Sequence, residues 1–152
     1  MKVIFRNKVH TAVSEILQTK DWLLEFKKGN PILIKTFSSL KKSTHYKSWW
    51  KWMLIKKLTN EKNDIYEIFN KEIKIAFESS LLNAKNKKRG IIEGDLIASL
   101  TFGFWTSIVG KPYLNILGDK GLYIKVFKEI KLEYKDIGTT QYNQTINKIR
   151  DN

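Results

Sequence analysis

The sequence predicts an all-α fold, a bundle of helices within one domain of 152 residues. The chain has only two prolines and eight glycines, so long stretches are free to be helical. Apolar residues recur at helical spacing in several segments. The longest uncharged run, 96–110, is shorter than the roughly 20 residues of a membrane span, so it predicts a buried core helix and no membrane contact.

The first two long helices are predicted by apolar periodicity. Residues 2–18 place Phe5, Val9 and Val13 on one face, and no turn residue precedes the pattern. Gly29-Asn30-Pro31 predicts a turn. Residues 65–88 predict a second long helix, capped by Asn63-Asp64 and ended by Gly90.

The C-terminal part of the chain predicts two more helices and one ambiguous segment. Residues 96–109 predict a core helix that ends at Gly110-Lys111-Pro112. We expect a short irregular or β segment near 122–135, because Ile130, Leu132 and Tyr134 alternate with charged residues. Thr139-Thr140 then resembles the cap of a last helix.

The positive charge is concentrated in one part of the chain. The net charge is +13; residues 1–89 contain 20 Lys and Arg against 8 Asp and Glu, and residues 90–152 contain 8 against 7. A basic region beside a near-neutral one is typical of a polyanion-binding protein. The alternative is that the excess lysine reflects the Lys-, Ile- and Asn-rich composition that low-GC genomes produce.

Residues 35–57 are the most basic segment, and aromatic residues lie among their lysines. Lysines that follow a backbone and rings that stack on bases suit single-stranded nucleic acid. The alternative is that the tryptophans of this segment are core anchors and its lysines an ordinary solvated face. The candidate binding residues here are Lys41, Lys42, Lys47, Lys51 and Trp50.

Arg6, Asn7 and His10 form a second candidate nucleic-acid contact. Arg6 and His10 are four residues apart, so both reach one face of the first helix. An arginine that holds a phosphate and a histidine that moves a proton are a minimal set for metal-free RNA cleavage. The alternative is a half-buried histidine and a surface arginine. The sequence contains no cysteine, no metal-ligand spacing and no phosphate-binding glycine loop, so we predict no metal and no cofactor.

Three segments resemble the Abi-like family, the abortive-infection proteins of the AbiD/AbiF type in the HEPN superfamily of helical RNases. Residues 2–13 resemble its Arg-Asn helix, and 94–105, with Leu100-Thr101-Phe102-Gly103-Phe104-Trp105, resemble its L-[ST]-F-G-x-W box. Residues 146–152 resemble the helix before its R-N-R-x-x-H-H-E motif. The resemblance implies a HEPN-like bundle, RNA as partner, phage defence and a homodimer. The absence of cysteine suits the cytoplasm.

The resemblance also implies a domain that is incomplete at both ends. Helices that precede the Arg-Asn helix in the family are missing, and the chain stops at Asn152, where the Arg/His motif would begin. Arg150 matches only the arginine before that motif. Arg6 and His10 are too close in sequence to replace it, so we predict no catalytic residue and an inactive remnant of a metal-independent RNase. A non-enzymatic nucleic-acid-binding module and a helical interaction domain are the alternatives.

Overall fold

The computed structural model describes residues 2–40, 65–113, 115–128 and 140–151. Within these ranges the chain forms eight α-helices and no strand, so the prediction of an all-α fold is confirmed. Two short 3₁₀ turns, Lys111–Tyr113 and Gly118–Lys120, join the later helices. The helices are α1 Lys2–Leu17, α2 Trp22–Lys27, α3 Pro31–Ser38, α4 Ile65–Lys87, α5 Glu93–Ser99, α6 Phe102–Ile108, α7 Leu122–Phe127 and α8 Thr140–Asp151.

The long helices α1 and α4 lie where the apolar periodicity predicts them. The helix α1 buries Phe5, Val9 and Val13 on one face. The helix α4 ends slightly before the predicted Gly90, because Lys88 adopts a left-handed conformation with φ of 52°. Left-handed residues commonly terminate helices, although glycine takes this position more often than lysine.

The predicted turn before α3 is present and well defined. Gly29 has φ of 90°, a conformation that favours glycine, and Pro31 is the first residue of the helix. The Asn30 side chain accepts hydrogen bonds from the backbone N–H groups of Ile32, at 3.0 Å, and Leu33, at 3.4 Å. These bonds satisfy two N–H groups that the start of α3 would otherwise leave unpaired, and Pro31 itself has no N–H.

The single helix predicted over 96–109 is instead two helices, α5 and α6. Leu100 is extended, with φ of −74° and ψ of 140°. Thr101 then caps α6, and its hydroxyl accepts a hydrogen bond from the N–H of Phe104 at 3.2 Å. Threonine side chains offer the backbone this alternative to a continuous helix, and the apolar periodicity does not reveal which alternative prevails.

The segment near 122–135 also differs from its expectation where it is described. Residues Leu122–Phe127 are helical, not irregular or extended. Gly121, with φ of 85°, precedes the helix, and four of its six residues are buried at helical spacing: Leu122, Tyr123, Val126 and Phe127. The alternating residues 130–134 and the predicted cap at Asn63-Asp64 lie outside the described residues. The last predicted helix is confirmed as α8.

The core is organised around α1, which contacts α5, α6, α7 and α8. Six rings from five helices form a closed aromatic cycle beside it: His10, Trp22, Phe37, Phe69, Phe104 and Trp105. The closest pair is Phe37 and Phe69, stacked with their centroids 4.4 Å apart. The cycle joins α1, α2, α3, α4 and α6, so these elements depend on one another's packing.

Crossing a bilayer requires a helix that is both long and apolar. None of the helices in the described ranges combines the two properties.

Candidate functional site

A buried carboxylate, Glu93, connects the start of α5 with α1 and α2, which are distant from it in sequence. One carboxylate oxygen accepts hydrogen bonds from the Nε2 of His10 and from the backbone N–H of Leu23, both at 2.9 Å. The other oxygen accepts a hydrogen bond from the N–H of Leu24 at 2.9 Å. Because the carboxylate also receives two backbone N–H groups, His10 is the donor in its own bond with Glu93.

Glu93 performs the capping that the residue before α2 does not. Asp21 stands at the N-cap position of α2, but its side chain makes no capping hydrogen bond. A helix of six residues has few internal hydrogen bonds to sustain it, and its first N–H groups need acceptors. The carboxylate of Glu93, 70 residues further along the chain, supplies them and adds a negative charge at the positive helix end.

A second carboxylate, Asp95, fixes the loop that precedes Glu93. Asp95 receives two hydrogen bonds from the guanidinium of Arg89, at 2.7 and 2.9 Å, and one from the N–H of Ile92 at 3.0 Å. The Arg89 bonds, followed by the Ile92 N–H, hold the pKa of Asp95 well below its usual range. The two acids of this helix start therefore have different roles: Asp95 holds its own loop, and Glu93 reaches across to α2.

His10 is part of the packed aromatic cycle as well as a partner of Glu93. Its imidazole stacks on Trp22 at a centroid distance of 5.9 Å and meets Trp105 edge-on at 6.2 Å. Only 12% of its side-chain surface is exposed. An imidazole oriented by a carboxylate can act in proton transfer. Here the same carboxylate is occupied by two backbone N–H groups, so the geometry favours a structural role for the pair.

A cleft of about 480 Å³ adjoins the His10–Glu93 pair, between α1, α2 and α5. Leu24 and three isoleucines give it apolar walls, and its charged residues are one lysine against two acids, so it does not attract a polyanion. The lining residues are His10, Lys20, Asp21, Leu24, Ile91, Ile92, Glu93, Gly94 and Ile97.

A second concavity of about 590 Å³ lies on another side of α1, between α1 and α7. We call it the α1–α7 groove. Its charged lining has three ammonium groups, from Lys8, Lys125 and Lys128, against the single carboxylate of Glu15. Lys125 donates a hydrogen bond to Glu15 at 2.6 Å, which links the two walls. The remaining lining residues are Ile4, Asn7, Thr11, Ala12 and Val126.

The predicted contact residues of α1 are not brought to one surface. Asn7 lies in the α1–α7 groove, and His10 lines the cleft beside Glu93. Arg6 is partly buried, and among the described residues its Nε atom is closed off from solvent without a hydrogen-bond partner. The other predicted contact residues, Lys41, Lys42, Lys47, Trp50 and Lys51, lie outside the described residues.

Sequence reasoning missed Glu93, Trp22, Lys125 and Lys128. In the sequence, Glu93 is an ordinary acidic residue near a helix start, and the helix dipole alone explains an acidic residue at that place. Nothing in the sequence indicates that its acceptors serve a helix 70 residues away. Within the part of the chain that the structure describes, no three His, Asp or Glu residues are grouped closely enough to hold a metal ion.

Comparison of the chain with protein-family models, curated proteins and solved structures finds no match. The resemblance to the Abi-like family therefore stays a prediction that depends on the sequence motifs alone.

Proposed function

We propose that this protein is a cytoplasmic RNA-binding helical domain of the Abi-like type, serving defence against phage. The observation that supports RNA binding is the α1–α7 groove, where three lysines face one glutamate. Its position on α1 also fits the resemblance, because Asn7 of the Arg-Asn helix lines it.

The groove has features that a nucleic-acid backbone needs. Ammonium groups on both walls can neutralise successive phosphates, and the release of counterions that follows drives binding. Lys8 comes from α1, whereas Lys125 and Lys128 come from α7 and the residue after it. Among the lining residues, the exposed Ile4 offers apolar contact area for sugar and base faces.

RNA cleavage is not part of the proposal. His10 is bonded to Glu93 and held between two tryptophan rings, and the Nε atom of the partly buried Arg6 is closed off from solvent. Incubation of the protein with RNA and a chelator should leave the RNA intact. Metal-independent cleavage that disappears in Arg6→Ala or His10→Ala would overturn this part of the proposal.

The salt dependence of RNA affinity tests the groove. Binding of a fluorescein-labelled 12-nucleotide oligouridylate is measured by anisotropy between 50 and 300 mM NaCl. The logarithm of affinity should fall linearly with the logarithm of salt, with a slope of about −0.7 for each phosphate neutralised. The double variant Lys8→Ala, Lys128→Ala should lose affinity and lower the slope by up to about 1.4, which corresponds to two phosphates.

The matched control is the double variant Lys74→Ala, Lys85→Ala, which removes the same charge from exposed positions on α4. It should reproduce most of the wild-type slope. Equal effects of the two double variants would indicate that the net charge, and not the groove, attracts RNA. Absence of binding at 50 mM NaCl would reject RNA binding and leave the helical interaction domain as the function.

The predicted basic segment needs its own variant. Removal of Lys41, Lys42 and Lys47 together should also flatten the slope, by about 0.7 for each phosphate that these lysines neutralise in the wild type. An unchanged slope would assign the basicity of this segment to composition.

A further inference from the structure

The solvent face of α4 carries a straight apolar stripe. Ile68, Ile75 and Leu82 are spaced seven residues apart, and their exposures are 49%, 55% and 67%. The buried residues of α4 lie on the opposite side: Phe69, Ile73, Ala76, Ser80 and Ala84. A seven-residue spacing drifts by only about 20° per step on a straight helix, so the three side chains form one line about 21 Å long.

A stripe of this kind requires an explanation that single exposed residues do not. Isolated apolar side chains are normal on a protein surface, whereas an aligned set marks an interaction site. Side-by-side helix pairs repeat two apolar positions in every seven residues, and the stripe supplies one of these two positions. The occupant that the stripe fits is therefore another helix.

The charged residues beside the stripe indicate that this other helix is α4 of a second copy. Lys71 and Glu78 lie along one edge of the stripe, seven residues apart and opposite in sign. If a second α4 lies antiparallel, with the twofold axis between residues 74 and 75, each Lys71 faces Glu78 of the other copy. Ile75 and its own equivalent then lie within about 1.5 Å of the same height along the helices, and so do Ile68 and Leu82 of the other copy. The surface is thus complementary to itself, as a twofold interface must be.

The local charge of α4 supports the same occupant. The helix carries four lysines, Lys71, Lys74, Lys85 and Lys87, against Glu67, Glu72 and Glu78. A polyanion on this face would meet two glutamates at the edges of the stripe. A second copy can approach without strong local repulsion, although each chain has a net charge of +13.

We propose that α4 is a self-association surface, on which two copies pair antiparallel through Ile68, Ile75 and Leu82. The resemblance implies a homodimer, and the inference here is the surface and the antiparallel orientation of the two copies, neither of which depends on RNA binding. The two behaviours also respond oppositely to salt: RNA affinity should fall, whereas an apolar seam between two basic chains should hold or strengthen as repulsion is screened.

Sedimentation of the whole chain between 5 and 200 μM tests the association. The wild type should form dimers in 0.3 M NaCl, and Ile75→Lys, which places two like charges at the axis, should raise the dimer Kd by at least about tenfold. The control Ile32→Lys changes an exposed isoleucine on α3 and should not affect the dimer. Far-ultraviolet circular dichroism shows that each variant is folded. A wild type that stays monomeric at 200 μM, or equal Kd values for the two variants, would overturn the proposal.

The orientation has a separate test, because the chain contains no cysteine. Under mild oxidation Ile75→Cys should form a disulfide-linked dimer, since the two side chains meet at the axis. Leu82→Cys should not, because an antiparallel pairing separates its two copies by about 22 Å along the helices. Equal crosslinking at both positions would overturn the antiparallel arrangement.

The exchange variant Lys71→Glu, Glu78→Lys should dimerise like the wild type, whereas either single change should weaken the dimer.

Discussion

Glu93 shows how one buried side chain can serve two helices. It accepts hydrogen bonds from His10 and from the backbone of Leu23 and Leu24, and it is 7% exposed. Burial of a carboxylate is expensive unless its oxygens are paired, and here three donors pair them. Loss of the carboxylate would leave N–H groups at the start of α2 without acceptors, because Asp21 does not cap them.

The variant Glu93→Gln measures this contribution. An amide keeps one acceptor oxygen but places an N–H group against donors, so we expect a loss of about 1.5 to 3 kcal/mol in unfolding free energy. Urea denaturation followed by circular dichroism gives the value. The exposed Glu67→Gln is the control and should change stability by less than about 0.5 kcal/mol. Equal losses in both variants would show that the Glu93 bonds contribute nothing specific.

Asp95 makes a prediction about acid stability. Its pKa in the folded protein is below the usual value of 3.8, first because of Arg89 and then because of the Ile92 N–H. A lowered folded pKa adds stability that is complete above the unfolded pKa and is lost as the pH falls through the folded pKa.

Asp95→Asn should therefore be less stable than the wild type at pH 6, and the difference should shrink once the pH falls below about 4. Thermal melts between pH 2 and pH 7 measure it. Arg89→Met removes the main partner and should show the same trend. A difference that is constant across this range would contradict the assignment.

At the scale of elements, two neighbouring helices are capped in different ways. The helix α3 is capped locally, by Asn30 immediately before it, and α2 is capped by Glu93 from across the fold. Both helices have a residue suited to capping in the N-cap position, yet only Asn30 uses its side chain for it.

Alanine substitutions distinguish the two kinds of capping. Asn30→Ala should lower the unfolding free energy by about 1 kcal/mol, the usual value of a helix cap. Asp21→Ala should lower it by less than about 0.5 kcal/mol, since only its charge near the helix end is removed. Urea titrations of the two variants decide the matter. A larger loss for Asp21→Ala would mean that Asp21 caps α2 in solution.

The sequence predicts individual helices well where periodicity is long. The helices α1 and α4 have enough turns for their buried faces to be recognised, and Gly29-Asn30-Pro31 is a reliable local signal. The division between α5 and α6 is not predictable in this way, because Thr101 as a cap and a threonine within a helix look alike. The helix α7 was not predicted, because six residues make too few turns to show the apolar periodicity of a helix.

At the scale of the whole molecule, residues that are neighbours in sequence separate and distant ones meet. The sequence predicts one contact surface for Arg6, Asn7 and His10, but α1 is central and its sides face different helices. Asn7 therefore joins α7 in the groove, and His10 joins α2 and α5. The lysines that share a surface with Asn7 are set by the packing of α1 against α7. No local sequence pattern encodes this packing.

The capping of α2 by Glu93 also constrains the order of folding. A six-residue helix gains too little from its own hydrogen bonds to persist alone. Its acceptor arrives only when the chain closes a loop of 70 residues, at an entropy cost of roughly 4 kcal/mol. The helix α2 should thus be stabilised late, after α1 and the start of α5 have come together. The residue that caps this helix is added by the ribosome 70 positions after Leu23.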